Sequence, residues 1–194
     1  MKKIAITGGI GSGKSTVSEI IRKMGYVVVS ADKVYSELLL NEDFVKEICE
    51  LMNISPIEKD GRVTIDRKAL SALVFSDKTQ LLRLNDFTHP RIMDEIFRRS
   101  EGVESLFFAE VPLLFERGYE TEFDNVFVVR RQLDLRLSGT AKRDGKTEAE
   151  IRKVIDNQFD YEGNKSGYKS IIIENNGTIQ ELETEVSEAV KRLL

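Results

Sequence analysis

The stretch "ITGGIGSGKST", residues 6–16, limits the possible folds of this chain more than any other, because it sets four glycines between an apolar run and an amphipathic one. Glycine loses more conformational freedom on folding than any other residue, so this density requires something to approach the backbone closely. The preceding "KKIAIT" reads as a short buried strand. The following "KSTVSEIIRKMG" reads as a helix, with Val17, Ile20, Ile21 and Met24 at the helical period and Gly25 as its stop. A strand, a glycine loop and a helix in succession point to an α/β fold.

The rest of the chain repeats that alternation. "YVVVSAD" reads as a second strand ending on Asp32, and "ESLFFAE", "NVFVVR" and "SIIIEN" as three more, before the closing helix "TIQELETEVSEAVKRLL". Five strands separated by helices predict a parallel sheet covered on both faces. Two segments are too long for simple crossovers. Residues 33 to about 103 read as several helices, "TIDRKALSALVF", "DKTQLLRLNDF" and "HPRIMDEIFRRS" among them. Residues 132–160 are polar and charged, with "RDGKTEAEIRKVIDNQ" as a turn and helix. Inserts at a sheet edge are where substrate domains and lids sit. The expectation is one domain over residues 1–194 with two mobile appendages.

Composition narrows the function. A net charge of −4 argues against a broad nucleic-acid surface, which needs clustered Lys and Arg. The chain contains no apolar run of membrane-spanning length and its start is too short for a secretory signal, so a cytoplasmic location without membrane contact is expected. No obligate protein partner is evident. Cys49 is the only cysteine and His89 the only histidine, which excludes an internal disulfide and argues against a Cys/His zinc site. Within "FVKEICELM", Cys49 reads as a buried thiol.

Gly8, Gly13, Lys14 and Ser15 match G-x-x-x-x-G-K-[ST] in the strand-to-helix context that motif requires. Successive N–H groups of such a loop turn inward as an anion nest beside the positive end of a helix dipole. Gly8, Gly9, Gly11, Ser12, Gly13, Lys14, Ser15 and Thr16 would form the cradle, and side chains on Gly11 or Gly13 would obstruct phosphate oxygens. Lys14 should reach the β- and γ-phosphates of a nucleoside triphosphate and Ser15 should ligate Mg²⁺.

Phosphoryl transfer also needs groups that aim an acceptor and offset charge. Asp32 fits either an acid that orients a hydroxyl or a cap on the helix "KVYSELLL". Glu110 closes an apolar run as a metal-holding acid would, through water, and a purely structural role fits equally. Arg136 and Arg143 lie in the polar insert, placed to deliver a guanidinium if it folds over the nucleotide.

These motifs together resemble the dephospho-coenzyme A kinase family. "TGGIGSGKST", "ADK" at 31–33, "TIDRKALSALVF", "LNDFTHPRI", "EVPLLFERG", "KRDGKTEAEIRKVIDNQ" and "IIIENNG" follow that family's order over nearly the full chain. The resemblance implies a three-layer P-loop fold with a parallel five-stranded sheet, a helical acceptor-binding insert at about 33–103 and a lid at about 132–160. It implies ATP-dependent phosphorylation of the ribose 3′-hydroxyl of dephospho-coenzyme A. By resemblance Asp32 would act on that hydroxyl, and Thr7, His89, Pro112 and Leu113 would bind the acceptor. Arg143 would be the lid arginine, and Asn175, with Gly177, would lie near adenine.

Three positions depart from the family's pattern: Glu110 replaces Asp, Gly139 replaces a second lid arginine, and Lys169-Ser170 replaces Ala-Asp. Two rival readings remain. One is another small P-loop nucleotide or metabolite kinase. The other is a GTPase-type switch, imitated by "DYEG" at 160–163 and "NKSG" at 164–167, in which Gly167 stands where a guanine-reading Asp would be needed.

Overall fold

The computed structural model describes residues 1–161 and 169–194, which form two compact units: Met1–Val29 with Gly102–Leu194, and Ser30–Glu101. The first unit is built on a sheet. β1 (Lys2–Thr7), β2 (Val27–Ser30), β5 (Leu106–Glu110), β6 (Asn125–Arg130) and β7 (Ser170–Glu174) lie in the order β2-β5-β1-β6-β7. β1 pairs in parallel with β5, placing Ile6 opposite Glu110, and with β6, placing Thr7 opposite Val128. The carboxyl end of this central strand is where open α/β sheets bind ligands, and it runs directly into the glycine loop.

β5 is buried at every residue, as its unbroken "LFFAE" composition requires of a strand covered on both faces. On one face Ile4, Ile6, Phe108, Phe127, Val129 and Ile173 pack against α1 (Lys14–Lys23) and α8 (Ile179–Lys191). The alternate residues Ala5, Phe107, Ala109, Val126 and Val128 are buried as well. Met24 departs from its expected place in the α1 stripe: it is the C-cap residue and 38% exposed. α8 begins with a capping box between Thr178 and Glu181.

Residues 132–160 fold as two helices, α6 (Leu133–Asp144) and α7 (Glu148–Asp156). Gly145 ends the first in the left-handed conformation, and Thr147 with Glu150 forms a capping box on the second.

In the second unit, α2 (Ala31–Leu38), α3 (Glu42–Met52), α4 (Arg67–Ser76) and α5 (Lys78–Arg98) enclose a core of Phe44, Val45, Ile48, Met52, Leu70 and Leu84. Cys49 is buried in that core, and the burial raises its thiol pKa. Two features depart from the sequence reading. "IEKDGRVT" forms a hairpin of β3 (Ile57–Lys59) and β4 (Arg62–Thr64), turned through Asp60 and Gly61 with both residues at positive φ, the geometry an Asp-Gly turn provides. And the two helices expected around Pro90 are one. Proline removes the N–H that would bond the carbonyl four residues back. Beside the break, Thr88 Oγ1 donates to the Leu84 carbonyl and Arg91 Nη1 to the Phe87 carbonyl, each at 2.9 Å, within a helix that runs on from Lys78 to Arg98.

Among the described residues no helix is long and apolar enough to cross a membrane.

Candidate active site

The loop between β1 and α1 holds Gly8, Gly11 and Gly13 at positive φ, with Gly13 as the N-cap of α1. In the first turn of α1 the Thr16 N–H bonds the Gly13 carbonyl at 3.0 Å, while those of Lys14 and Ser15 have no carbonyl within the helix to bond, which leaves the positive end of its dipole at the loop. Lys14 curls back so that Nζ donates to the carbonyls of Gly8 at 2.8 Å and Gly9 at 3.1 Å. Its ammonium therefore spans the concavity of the loop, where a phosphate chain would lie. Ser12 is buried, and among the described residues its Oγ has no hydrogen-bond partner. A glycine cradle, a cation and an orphaned hydroxyl suit an anionic ligand rich in oxygen.

The glycines also answer to packing within the chain. A Cβ on Gly13 would collide with Asn175 Nδ2, and one on Gly11 would stand 2.5 Å from Thr140 Oγ1 and 2.9 Å from the Arg136 carbonyl. The expectation that side chains here would first obstruct phosphate is thus corrected: they would first meet α6 and the end of β7. Neighbouring protein is packed against the loop closely enough to set its shape.

Glu110, the last residue of β5, is buried and holds both hydroxyls of an α1 turn. Ser15 Oγ donates to Oε1 at 3.0 Å and Ser18 Oγ to Oε2 at 2.8 Å. Ser15 and Glu110 offer only oxygen, the donor chemistry that hard cations such as Mg²⁺ take, so these residues fit that metal. Ser18 was missed from sequence, although a hydroxyl inside the buried Val17, Ile20, Ile21 stripe signals that it must have a partner.

Thr7 closes β1 fully buried, its Oγ1 3.3 Å from the Tyr161 hydroxyl. Tyr161 OH also lies 3.3 Å from the Pro112 carbonyl and from Glu116 Oε2, and it packs with Phe115 and Phe159. Pro112 and Leu113, half-buried, begin the turn that follows β5. The chain returning from α7 is thereby pinned to the end of β1, a link no local pattern announced.

Several expected residues stand differently from their sequence reading. Asp32 does not end a strand or cap a helix from outside; it lies in the first turn of α2, whose N-cap is Ser30, and its carbonyl accepts from Ser36 Oγ at 2.9 Å. His89 lies half-buried in α5 of the same unit. Asn175 turns its amide to the loop, donating from Nδ2 to the Ser12 carbonyl at 2.8 Å. A Cβ on Gly177 would collide with Glu181 Oε2, so that glycine serves the α8 capping box.

The two lid arginines also separate. Arg143 donates from Nε and Nη2 to the carboxylate of Asp144 at 2.6 and 2.9 Å and is mostly exposed; that bonding raises its pKa and lowers that of Asp144. Arg136, by contrast, is buried, and its Nε donates to the Ile10 carbonyl at 2.9 Å. At Gly139 the guanidinium of Arg131 lies 3.8 Å from where a Cβ would stand. The switch-like stretch at 160–167 falls, from residue 162 onward, outside the described residues.

A family model described as Dephospho-CoA kinase matches residues 2–181. A dephospho-CoA kinase of Corynebacterium glutamicum is 33% identical, over 100% of this chain and 98% of the relative. Among solved structures, that of TT1252 from Thermus thermophilus superposes with a TM-score of 0.82 at 31% identity, covering 100% of this chain and 98% of the other. Dephospho-CoA kinase from Campylobacter jejuni follows with a TM-score of 0.70 at 29% identity, covering 98% and 96%.

Proposed function

Because the chain belongs to the dephospho-CoA kinase family, we propose that it transfers the γ-phosphoryl group of ATP to the ribose 3′-hydroxyl of dephospho-coenzyme A, giving coenzyme A and ADP. The observation that carries this reading is the loop itself, a glycine cradle crossed by Lys14 and flanked by the Ser15–Glu110 pair, in a chain matching one kinase family over residues 2–181.

Each residue then has a task. Gly8, Gly9 and the residues from Gly11 to Thr16 cradle the phosphates, and Lys14 transfers its ammonium from the Gly8 and Gly9 carbonyls to the β- and γ-oxygens. Ser15, with Glu110 behind it, would hold Mg²⁺, which supplies charge neutralisation on those oxygens. Asp32 accepts or aims the proton of the acceptor hydroxyl. Thr7, His89, Pro112 and Leu113 bind the acceptor, and Asn175 stands near adenine. The segment 132–160 acts as a lid that keeps water from competing, with Arg143 leaving Asp144 to meet the phosphates. The reaction belongs in the cytoplasm, where the segment 33–103 serves as the acceptor-binding insert.

One coupled assay tests the reading: ADP release with ATP and dephospho-coenzyme A, run beside AMP, CMP and water as acceptors. Rapid turnover with dephospho-coenzyme A alone is expected, and Lys14→Ala and Arg143→Ala should each lower it by orders of magnitude. Preference for AMP or CMP would transfer the chain to the nucleoside monophosphate kinases.

A further inference from the structure

Ile10 is held at both ends of its backbone by side chains from outside the loop. Its N–H donates to Gln158 Oε1 at 2.8 Å, and its carbonyl accepts from Arg136 Nε at 2.9 Å. Arg136 comes from the second turn of α6 and Gln158 from just past the end of α7, so the two ends of segment 132–160 meet on one residue of the phosphate loop. The same two side chains crowd Gly9. A Cβ there would collide with Arg136 Nη2 and stand 3.4 Å from Gln158 Oε1. Gly9 is not at positive φ, so its backbone alone does not demand glycine; a side chain there would have to displace the Arg136 guanidinium, while Gln158 Oε1 stands at ordinary contact distance.

We propose that Arg136 and Gln158 form a clasp on Ile10 that sets the shape of the phosphate loop, and are positioning residues for nucleotide binding. The Ile10 N–H belongs to the peptide joining it to Gly9 and its carbonyl to the peptide joining it to Gly11, so the two bonds hold two successive peptide planes, neither of which can turn without breaking one of them. Its N–H is directed at Gln158 and away from the nest, which leaves the cradle to the N–H groups that follow. The buried guanidinium at Gly9 fixes where the loop can run. Phosphate affinity therefore depends on groups that need touch no phosphate, and docking of the segment and grip on the nucleotide are one equilibrium. This rests on the reading of the loop as a nucleotide site.

The test measures ATP affinity by calorimetry on the full chain, without acceptor, together with melting temperature. Arg136→Ala and Gln158→Ala should each weaken ATP binding about tenfold, the loss expected for one directed hydrogen bond of this kind. Arg136→Lys, which keeps a donor for the Ile10 carbonyl, should recover most of the loss. A double-mutant cycle makes the test specific. Gly9→Ala should weaken binding about tenfold or more in the native chain, and roughly threefold or less once Arg136→Ala has removed the guanidinium it collides with. Affinity within about twofold of the native value in folded Arg136→Ala and Gln158→Ala, with only the melting temperature lowered, would overturn the clasp. So would equal damage from Gly9→Ala in both backgrounds. Should Arg136→Ala not fold, Gln158→Ala, at a half-buried side chain, decides the matter alone. A native chain that binds no ATP overturns the clasp and the nucleotide reading together, whereas a native chain that binds it beside unaffected variants overturns the clasp only.

Discussion

Ser18 Oγ donates to Glu110 Oε2 at 2.8 Å, while Ser15 Oγ, one helical turn earlier, donates to Oε1 at 3.0 Å. A glutamate at the end of β5 reaches one methylene further than an aspartate would, and needs a second anchor to be fixed. The inner hydroxyl supplies it. Were Ser15 to turn to a metal, as proposed, Ser18 would be the partner that Glu110 keeps.

Ser18→Ala should therefore do more than remove a buried hydrogen bond. Losing that bond costs about 1–2 kcal/mol, a fall in melting temperature of about 2–6 °C for a chain of this size. The Mg²⁺ concentration for half-maximal activity should rise several-fold, while ATP affinity measured without metal stays put. A changed melting temperature with an unchanged Mg²⁺ requirement would leave Glu110 a structural acid.

Asp32→Asn separates two roles that share one residue. As a carboxylate in the first turn of α2, Asp32 stabilises the helix by about 0.3–1 kcal/mol, so the amide should be only slightly less stable. As the acid that aims the acceptor hydroxyl, its loss should lower kcat by about a hundredfold or more. The KM for ATP should barely move. A kcat within a few-fold of native would return Asp32 to the helix alone.

How far the sequence could show this follows from which interactions are local. The loop and α1 were legible because each is written in a few adjacent residues. The strands were legible because β5 and β6 are apolar on both faces. The continuity of α5 was not, because a proline reads locally as a helix boundary and Pro90 is instead carried inside a 21-residue helix. The β3–β4 hairpin was hidden by exposed, polar strands, although its Asp-Gly turn was in plain view. The partners of the glycines, Thr140 and Asn175, lie far along the chain and leave no local trace. Asp32 was misplaced because helix and strand meet at Ser30 without a break.

Glu95 should give the second unit an acid-sensitive stability. Hydrogen bonds from Arg98, joined by those from Arg99 and opposed by partial desolvation, lower its carboxyl from 4.5 to about 2. Arg99 carries the network to Glu37 on α2. A depressed folded-state pKa means the unfolded chain takes up the proton first as pH falls. The contribution is complete above about 4.5 and fades as pH drops toward 2. Glu95→Gln should accordingly have a lower unfolding free energy in urea titration than native at pH 6, by about 1 kcal/mol or less given the exposure of Arg98, and the gap should largely close by pH 2.5. A gap independent of pH would assign the effect to packing.

Tyr161→Phe tests the link between the end of β1 and the chain returning from α7. The phenol has one proton, which it can give to the Pro112 carbonyl or to Glu116, so Thr7 Oγ1 is left to donate to the phenol oxygen. Burial raises the Tyr161 pKa; the Thr7 bond lowers it and the nearby Glu116 carboxylate raises it further. The ring itself should stay in place in the variant, since Phe159 and Phe115 pack it with centroids at 5.3 and 6.0 Å. The cost is then one buried hydrogen-bonding group, about 1–2 kcal/mol or roughly 2–6 °C in melting temperature. Spectrophotometric titration of the folded chain gives the sharper readout. Because Tyr161 stays neutral where ordinary tyrosines ionise, native and variant should gain the same phenolate absorbance by about pH 11. A variant short by one tyrosine's share would mean that this hydroxyl is in contact with water and that Thr7 is not tied to it.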